Sequence, residues 1–136
     1  MGFIWGKRSK KRMEGVNPVL LEFSNRLLKA SKYDLTIPQS GGVRTAKEQN
    51  EIFLKGFSTL DGYNKKSYHQ SGNAIDIVIA GKTVKEMYDK EKLDYVGEIG
   101  KQVWFDMSQE GLLKGLVPRW GGNWKNFNDK PHWEIR

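Results

Sequence analysis

The two histidines of this 136-residue chain each lie in a short segment that also carries carboxylates. His69 is followed by Asp76 in the first segment, and His132 lies between Asp129 and Glu134 in the second. Two imidazoles and one carboxylate can form a catalytic zinc site, because three protein ligands leave the fourth tetrahedral position open for water. The two segments therefore predict a metal site that supports hydrolysis.

Asp76 is the one charge in the most apolar segment, from Ala74 to Ala80, whose β-branched residues predict a strand. A buried, ionised carboxylate costs several kcal/mol unless it is paired or bound to a metal. Side chains alternate along a strand, so Asp76 lies on the face opposite Ile75 and can line a cleft. The alternative is a structural ion pair with Arg44 or Arg119. This segment by itself leaves both interpretations open.

His132 is ambiguous by itself, since a histidine beside a tryptophan is often a packed residue. In an extended strand, His132 and Glu134 face the same side and Trp133 faces the other. Asp129 lies close enough in sequence to approach the same metal-bound water. Zinc lowers the pKa of such a water to about 7, and a nearby carboxylate can then take the proton. The two segments together favour a metal site more strongly than either alone.

Length and composition predict the setting of this site. A chain of 136 residues suits one domain with one core. Cysteine is absent, so His, Asp and Glu must hold any metal. The net charge of +7 favours an anionic partner such as nucleic acid, an anionic membrane surface or a cell-wall polymer. The basic cluster from Lys7 to Arg12 is expected to be a solvated, poorly ordered end.

The pattern of apolar residues predicts an α+β fold, with a small antiparallel sheet and helices packed on one side. No stretch reaches the roughly 20 apolar residues of a membrane span, and the N-terminus lacks the pattern of a signal peptide. Stable membrane insertion is therefore not expected. The first predicted helix begins after Asn17 and ends near Lys32, and the second begins after Thr45 and ends near Lys55. A third begins after Thr83, and the last extends from about Tyr95 to about Lys114. The predicted strands cover Tyr33 to Pro38, Ala74 to Ala80, Leu116 to Trp120 and His132 to Arg136.

These residues together resemble a known family, the zinc D,D-carboxypeptidases and L-alanyl-D-glutamate endopeptidases, or M15 (VanY-like) peptidases. The resemblance extends over nearly the whole chain and is greatest to small phage endolysins of the L-alanyl-D-glutamate type. The fold that it implies has its zinc site in a cleft, as in D,D-peptidases and hedgehog domains. The motifs that carry it are Gly42-Val43-Arg44-Thr45-Ala46-x-x-Gln49, Ser67-x-His69-x-x-Gly72-x-Ala74-x-Asp76, Arg119-Trp120-Gly121-Gly122-x-Trp124 and Asp129-x-x-His132-x-Glu134.

The resemblance implies one zinc ion per chain, with His69, Asp76 and His132 as its ligands. It also implies that Asp129 is the general base, a position that Glu fills in other members. Glu134 is expected to orient a ligand imidazole by accepting a hydrogen bond, an interaction that metal-bound histidines usually make.

The substrate side of the site also follows from the resemblance. Arg44 matches the arginine that faces the substrate and stabilises the developing oxyanion. Ser67 matches a polar residue that contacts substrate near the zinc, and Gln49, in the same segment as Arg44, is expected to bind substrate too.

The expected function is hydrolysis of the peptide stem of bacterial peptidoglycan, at the L-alanyl-D-glutamate bond, by a phage endolysin. Such a protein is expected to be a monomer without a separate wall-binding module. It is expected to be made in the host cytoplasm and to reach the wall when a holin opens the inner membrane.

Three alternatives remain at this point. One is a D,D-carboxypeptidase that releases terminal D-alanine. Another is a non-catalytic zinc protein similar to hedgehog signalling domains, against which the presence of Asp129 argues. The third is a basic nucleic-acid-binding protein, for which the sequence offers no known binding motif.

Overall fold

The computed structural model describes residues 2–136, which form five helices, five short strands and two 3-10 turns. The helices are α1 (Lys7–Arg12), α2 (Pro18–Ala30), α3 (Ala46–Leu54), α4 (Val84–Met87) and α5 (Lys90–Gln109). The strands are β1 (Leu35–Thr36), β2 (Ala74–Asp76), β3 (Val78–Ile79), β4 (Pro118–Trp120) and β5 (His132–Ile135). The 3-10 turns are Tyr68–Ser71 and Gly121–Asn123. The predicted α+β class is confirmed.

The strands form two small antiparallel sheets rather than the single sheet expected from the sequence. One sheet has the order β2-β5-β4, and the other pairs β1 with β3. The strand predicted from Ala74 to Ala80 is divided at Ile77, whose N–H donates to Pro131 O at 2.9 Å. Before this point the chain pairs with β5, and after it with β1. An apolar run predicts burial but not the partner of each half, so the division was not foreseen.

Capping residues set the starts of α2 and α3, as predicted. Asn17 Oδ1 accepts the N–H of Val19 at 2.9 Å at the start of α2. Thr45 and Glu48 form a reciprocal capping box at the start of α3. Helix α2 ends slightly earlier than expected, because Ser31 is already extended and its hydroxyl binds the loop that follows.

Helix α5 begins and ends about one and a half turns earlier than predicted. It begins at Lys90 because the carboxylate of Asp89 accepts the N–H of Lys92 at 3.0 Å and caps the helix. It ends at Gln109, and Gly111 follows in a left-handed conformation with φ of 73°. Across residues 2–136, no helix has the length and apolar character needed to cross a bilayer.

The basic cluster near the N-terminus is a helix, α1, and the expectation of a poorly ordered end is wrong. Ser9 is buried, with its Oγ 2.9 Å from Thr36 Oγ1, and it accepts the N–H of Ile37 at 3.1 Å. Arg12 Nη1 also donates to Ile37 O at 2.9 Å. These contacts attach α1 to β1 and the residue after it, an interaction between distant segments that charge composition could not indicate.

Two tryptophans of the three-stranded sheet pack directly on α5. Trp120 and Trp133 are cross-strand partners, and their rings stack with centroids 5.6 Å apart. Gly97 and Gly100 of α5 lie against these rings, and a Cβ on either glycine would overlap them. Trp133 is adjacent to His132 in β5, so this close packing fixes the strand that carries the histidine.

Substitution of Gly100 by alanine should destabilise the fold, because the added methyl group meets the Trp133 ring in a filled core. We expect the free energy of unfolding to fall by roughly 1–3 kcal/mol despite the higher helix propensity of alanine. Urea unfolding measures the change. Ser108→Ala, at an exposed position of the same helix, should alter stability by less than about 0.5 kcal/mol. Equal effects at the two positions would contradict the packing argument.

Candidate metal centre and active site

Strand pairing and one tight turn bring the two histidine segments together. In the register of β2 and β5, Asp76 lies directly opposite His132. His69 lies in the 3-10 turn before β2, and Gly72 ends that turn with φ of 78°, a conformation that glycine adopts readily. Histidines 63 positions apart thereby come into contact.

Three inward-facing atoms form a nearly equilateral triangle, which we call the ligand triangle. His69 Nε2 lies 3.3 Å from His132 Nδ1 and 3.3 Å from Asp76 Oδ1. His132 Nδ1 lies 3.1 Å from the same oxygen of Asp76. Two atoms bound to one tetrahedral zinc at about 2.0–2.1 Å are separated by about 3.3 Å. The triangle therefore has the size of one face of a zinc coordination shell.

Hydrogen bonds behind the ligand triangle fix which nitrogen of each histidine is free. His69 Nδ1 lies 2.9 Å from the carbonyl oxygen of Gly42, which can only accept, so Nδ1 carries the hydrogen. His132 Nε2 lies 2.8 Å from Glu134 Oε1 and donates to that carboxylate. The inward atoms, His69 Nε2 and His132 Nδ1, thus both present lone pairs to each other and to Asp76. Only a cation, either a proton or a metal ion, relieves the repulsion between these lone pairs.

The charges around the ligand triangle favour such a cation. Burial lowers the pKa of His132, but its hydrogen bonds to Asp76 and Glu134 outweigh burial and raise that pKa to about 9. Burial likewise opposes ionisation of Asp76, yet the two histidines hold its pKa well below the usual range. Without metal, a proton on His132 balances Asp76 at neutral pH, and a metal that binds must displace that proton.

Arg44 lies beside the ligand triangle and is held by three acceptors. Its Nε donates to Ser40 O at 2.7 Å, Nη1 to Gln49 Oε1 at 3.0 Å and Nη2 to Asp76 Oδ2 at 3.2 Å. Asp76 therefore directs one oxygen to the histidines and the other to the arginine. The two interpretations left open by the sequence, an ion pair and a metal ligand, are compatible in this geometry. Two of the five guanidinium N–H groups remain for a substrate oxygen.

Gln49 lies behind Arg44, and the expected contact with substrate needs correction. Its side chain is fully buried, with no exposed surface. Its Nε2 donates to Ser58 Oγ at 3.1 Å and to Leu60 O at 2.9 Å, while Oε1 accepts from Arg44. The amide of Gln49 is therefore fully engaged within the protein. It positions Arg44 and attaches the loop around Ser58 to α3.

Asp129 lies within reach of the ligand triangle without belonging to it. Its Oδ2 is 3.9 Å from His132 Nδ1, and 34% of its side chain is exposed. The N–H of Asp129 donates to Gly121 O at 2.9 Å, and its carbonyl accepts from His132 N–H at 3.1 Å. Burial and the negative charge of Asp76 raise the pKa of Asp129 to about 6. A carboxylate with that pKa can exchange a proton near neutral pH.

Glu134 and Ser67 complete the set of predicted residues. Glu134 is buried, and its second oxygen accepts from Arg136 Nε at 2.8 Å, so both of its oxygens point away from the ligand triangle. Ser67 is also buried, and its Oγ has no hydrogen-bond partner among residues 2–136. It lines a surface pocket with Tyr68 and Gln70, next to His69 in the chain. The contact of Ser67 with substrate stays a prediction.

Two aromatic residues near the site were not identified from the sequence. The ring of Trp124 lies 5.1 Å from that of His132, centroid to centroid. Burial and the negative charges of Asp76 and Asp129 raise the pKa of the Tyr88 hydroxyl, which places Tyr88 beside the site. The segment around Trp124 is one of the motifs that carry the family resemblance, but the sequence analysis assigned Trp124 no role at the site. For Tyr88 the sequence contained no signal, because only the fold brings the end of α4 to the site.

Comparison with known proteins gives relatives along the whole chain. The chain is 33% identical over 138 residues to the L-alanyl-D-glutamate peptidase of Escherichia phage T5, covering 100% of this chain and 91% of the phage protein. It is 35% identical over 100 residues to the peptidoglycan L-alanyl-D-glutamate endopeptidase CwlK of Bacillus subtilis. That alignment covers 69% of this chain and 57% of CwlK, so the chain spans little more than half of the Bacillus protein.

A solved structure has the same fold. The L-Ala D-Glu endopeptidase ChiX of Serratia marcescens matches with a TM-score of 0.76 and 24% sequence identity, over 98% of this chain and 90% of ChiX. The family model described as phage L-alanyl-D-glutamate peptidase matches residues 1–136. With this match over every residue, and the T5 relative aligned along the entire chain, the protein belongs to the phage L-alanyl-D-glutamate peptidase family.

Proposed function

We propose that this protein is a zinc-dependent endopeptidase that cleaves the L-alanyl-D-glutamate bond in the peptide stem of bacterial peptidoglycan. The observation that carries the proposal is the ligand triangle of His69, Asp76 and His132 with Asp129 beside it. Family membership and the activities named for the T5 and Bacillus relatives support the choice of bond and substrate.

The chemistry of the ligand triangle supports zinc as the metal. Two imidazole nitrogens and one carboxylate oxygen suit zinc, whereas calcium and magnesium prefer oxygen ligands alone. When bound, zinc supplies a Lewis acid that polarises a carbonyl group and lowers the pKa of water to about 7. Glu134 and the Gly42 carbonyl hold the two imidazoles in the tautomers that this role requires.

Asp129 is proposed as the general base and acid. Its raised pKa lets it take a proton from the attacking water and return that proton to the leaving amine. Its carboxylate is about one-third exposed, so substrate and water can reach it. The hydrogen bonds from its backbone to Gly121 and His132 keep it at a fixed distance from the ligand triangle.

Arg44 is proposed to stabilise the negative charge that develops on the scissile carbonyl oxygen. Ser40, Gln49 and Asp76 hold its guanidinium before substrate binds, so little reorganisation is needed during the reaction. Ser67, whose buried hydroxyl has no partner among residues 2–136, is proposed to contact the substrate near the metal.

The proposed biological role is that of a phage endolysin. The T5 relative, a phage protein, aligns over nearly its full length. The net charge of +7 favours approach to the anionic bacterial wall. In this proposal the protein reaches the wall through an opening made by a holin.

Loss of a ligand should remove the metal and the activity together. Among residues 2–136 the site has no fourth protein ligand to compensate, so His132→Ala should lose most of its zinc and all measurable hydrolysis. Elemental analysis of the purified variant measures the metal, and circular dichroism tests whether it folds. A folded His132→Ala protein with one zinc per chain would show that the ligand assignment is wrong.

Substitution of the two carboxylates near His132 should affect different properties, turnover in one case and zinc retention in the other. Asp129→Asn should keep its zinc and lose roughly 100-fold or more in kcat, as expected for a missing general base. Glu134→Gln should mainly weaken zinc retention, because it weakens the hydrogen bond that orients His132. Zinc content and turnover, measured on both variants, check this. The reversed pattern would assign the base role to Glu134.

Digestion of purified peptidoglycan should identify the bond. An endopeptidase of the proposed kind exposes new amino termini on D-glutamate, which chemical labelling and hydrolysis detect. Arg44→Ala should yield the same product with a lower kcat and a smaller change in KM, since the arginine acts on the oxyanion. Release of free D-alanine without new D-glutamate termini would instead establish the D,D-carboxypeptidase alternative.

A further inference from the structure

Four basic side chains form one continuous face of α1. Lys7, Arg8, Lys10 and Lys11 are all exposed. At about 100° of rotation per residue they span an arc of about 160°, centred opposite Ser9. Ser9 is buried and hydrogen-bonded to the main body of the protein, so the rotation of α1 is fixed. The contacts of Ser9 therefore direct the basic side chains to solvent.

Nothing within residues 2–136 neutralises this basic face. None of its four side chains forms an ion pair with a carboxylate. The nearest acidic residue in sequence is Glu14, and the next is Glu22 in α2. Lys101 and Lys130 pair with carboxylates of α5, whereas most other lysines of residues 2–136 are, like these four side chains, outside any ion pair. The basic face thus retains its full charge for an external partner.

Two apolar side chains lie immediately before α1 and are also exposed. Ile4 is 82% exposed and Phe3 is 39% exposed. The segment is anchored directly after them, because Trp5 is buried and its Nε1 donates to Asn25 Oδ1 at 3.0 Å. This anchor holds Phe3 and Ile4 at the surface next to α1.

We propose that Phe3, Ile4 and the basic face of α1 form a docking surface for an anionic phospholipid bilayer. Basic side chains near such a surface are attracted to its headgroups, and exposed apolar side chains enter the boundary between headgroups and acyl chains. A purely polar polyanion would satisfy the four charges but would offer no apolar region to Phe3 and Ile4. The combination of the two features favours a bilayer.

The docking is peripheral and reversible. Two apolar side chains cannot anchor a protein permanently, and the described helices include none that could span a bilayer. The surface contains none of the residues of the ligand triangle, nor Arg44 or Asp129. Bilayer binding and peptide hydrolysis can therefore be measured independently, and this inference does not rest on the proposed function.

Co-sedimentation of the 136-residue protein with lipid vesicles tests the proposal. The wild type should bind vesicles of phosphatidylcholine mixed with phosphatidylglycerol, should not bind phosphatidylcholine alone, and should be released by salt. Lys7→Glu/Lys11→Glu should weaken binding by roughly tenfold or more. Lys47→Glu/Lys90→Glu makes the same change in net charge at exposed positions outside the surface, and should bind nearly as well as the wild type.

Ile4→Ser tests the apolar part and leaves every charge in place. It should lower vesicle affinity several-fold while the response to salt stays the same. Thermal unfolding verifies that each variant is folded. If Lys7→Glu/Lys11→Glu does not fold, Ile4→Ser alone decides whether the proposal holds. Equal loss in the two charge-reversal variants would mean a general charge effect and would overturn the proposal.

A wall polymer is the competing partner, and one measurement separates it from a bilayer. Turnover of purified peptidoglycan, which contains no lipid bilayer, should be the same for Ile4→Ser and the wild type. Failure of the wild type to bind phosphatidylglycerol vesicles would overturn the proposal. The proposal would also be overturned if Lys7→Glu/Lys11→Glu lost as much binding to purified wall material as it loses to vesicles.

Discussion

The structure depends on the close approach of three atoms that carry lone pairs, His69 Nε2, His132 Nδ1 and Asp76 Oδ1. They face one another at distances of 3.1 to 3.3 Å. His69 and His132 each use their outer nitrogen as a donor, which leaves the inner nitrogen without a hydrogen. Mutual repulsion of these atoms and the Asp76 carboxylate is relieved only by a cation. The fold thus maintains an arrangement that a metal ion can occupy, and without metal a proton on His132 relieves the repulsion.

The scaffold meets this constraint with rigid elements on every side. The β2–β5 register sets Asp76 against His132. Behind β5, the ring of Trp133 packs so closely on α5 that Gly100 admits no side chain. Rotation or sliding of β5 would therefore disturb the core as well as the site. Residues that hold ligands from behind determine the precision of a metal centre as much as the ligands do.

Arg44 links the ligand triangle to a more distant part of the chain. One end of this linkage is Asp76, which divides its two oxygens between the histidines and the arginine. The other is Gln49, whose amide connects Arg44 to Ser58 and Leu60 in the loop after α3. The loop, the arginine and the carboxylate thus form one hydrogen-bonded unit. Such a unit orients a charged group before substrate arrives.

The sequence by itself determined the residue types of the site and the local starts of helices. The two histidine segments indicated a metal site because metal ligands belong to few residue types, and the family resemblance then implied His69, Asp76 and His132 as the ligands. The capping box at Thr45 could be predicted because it is a local interaction. Tertiary structure alone decided the division of the strand at Ile77, the burial of Gln49, the ordering of α1 and the approach of Tyr88. Each depends on which distant segment lies opposite, because hydrogen-bond partners and burial are set by contacts between segments far apart in the chain.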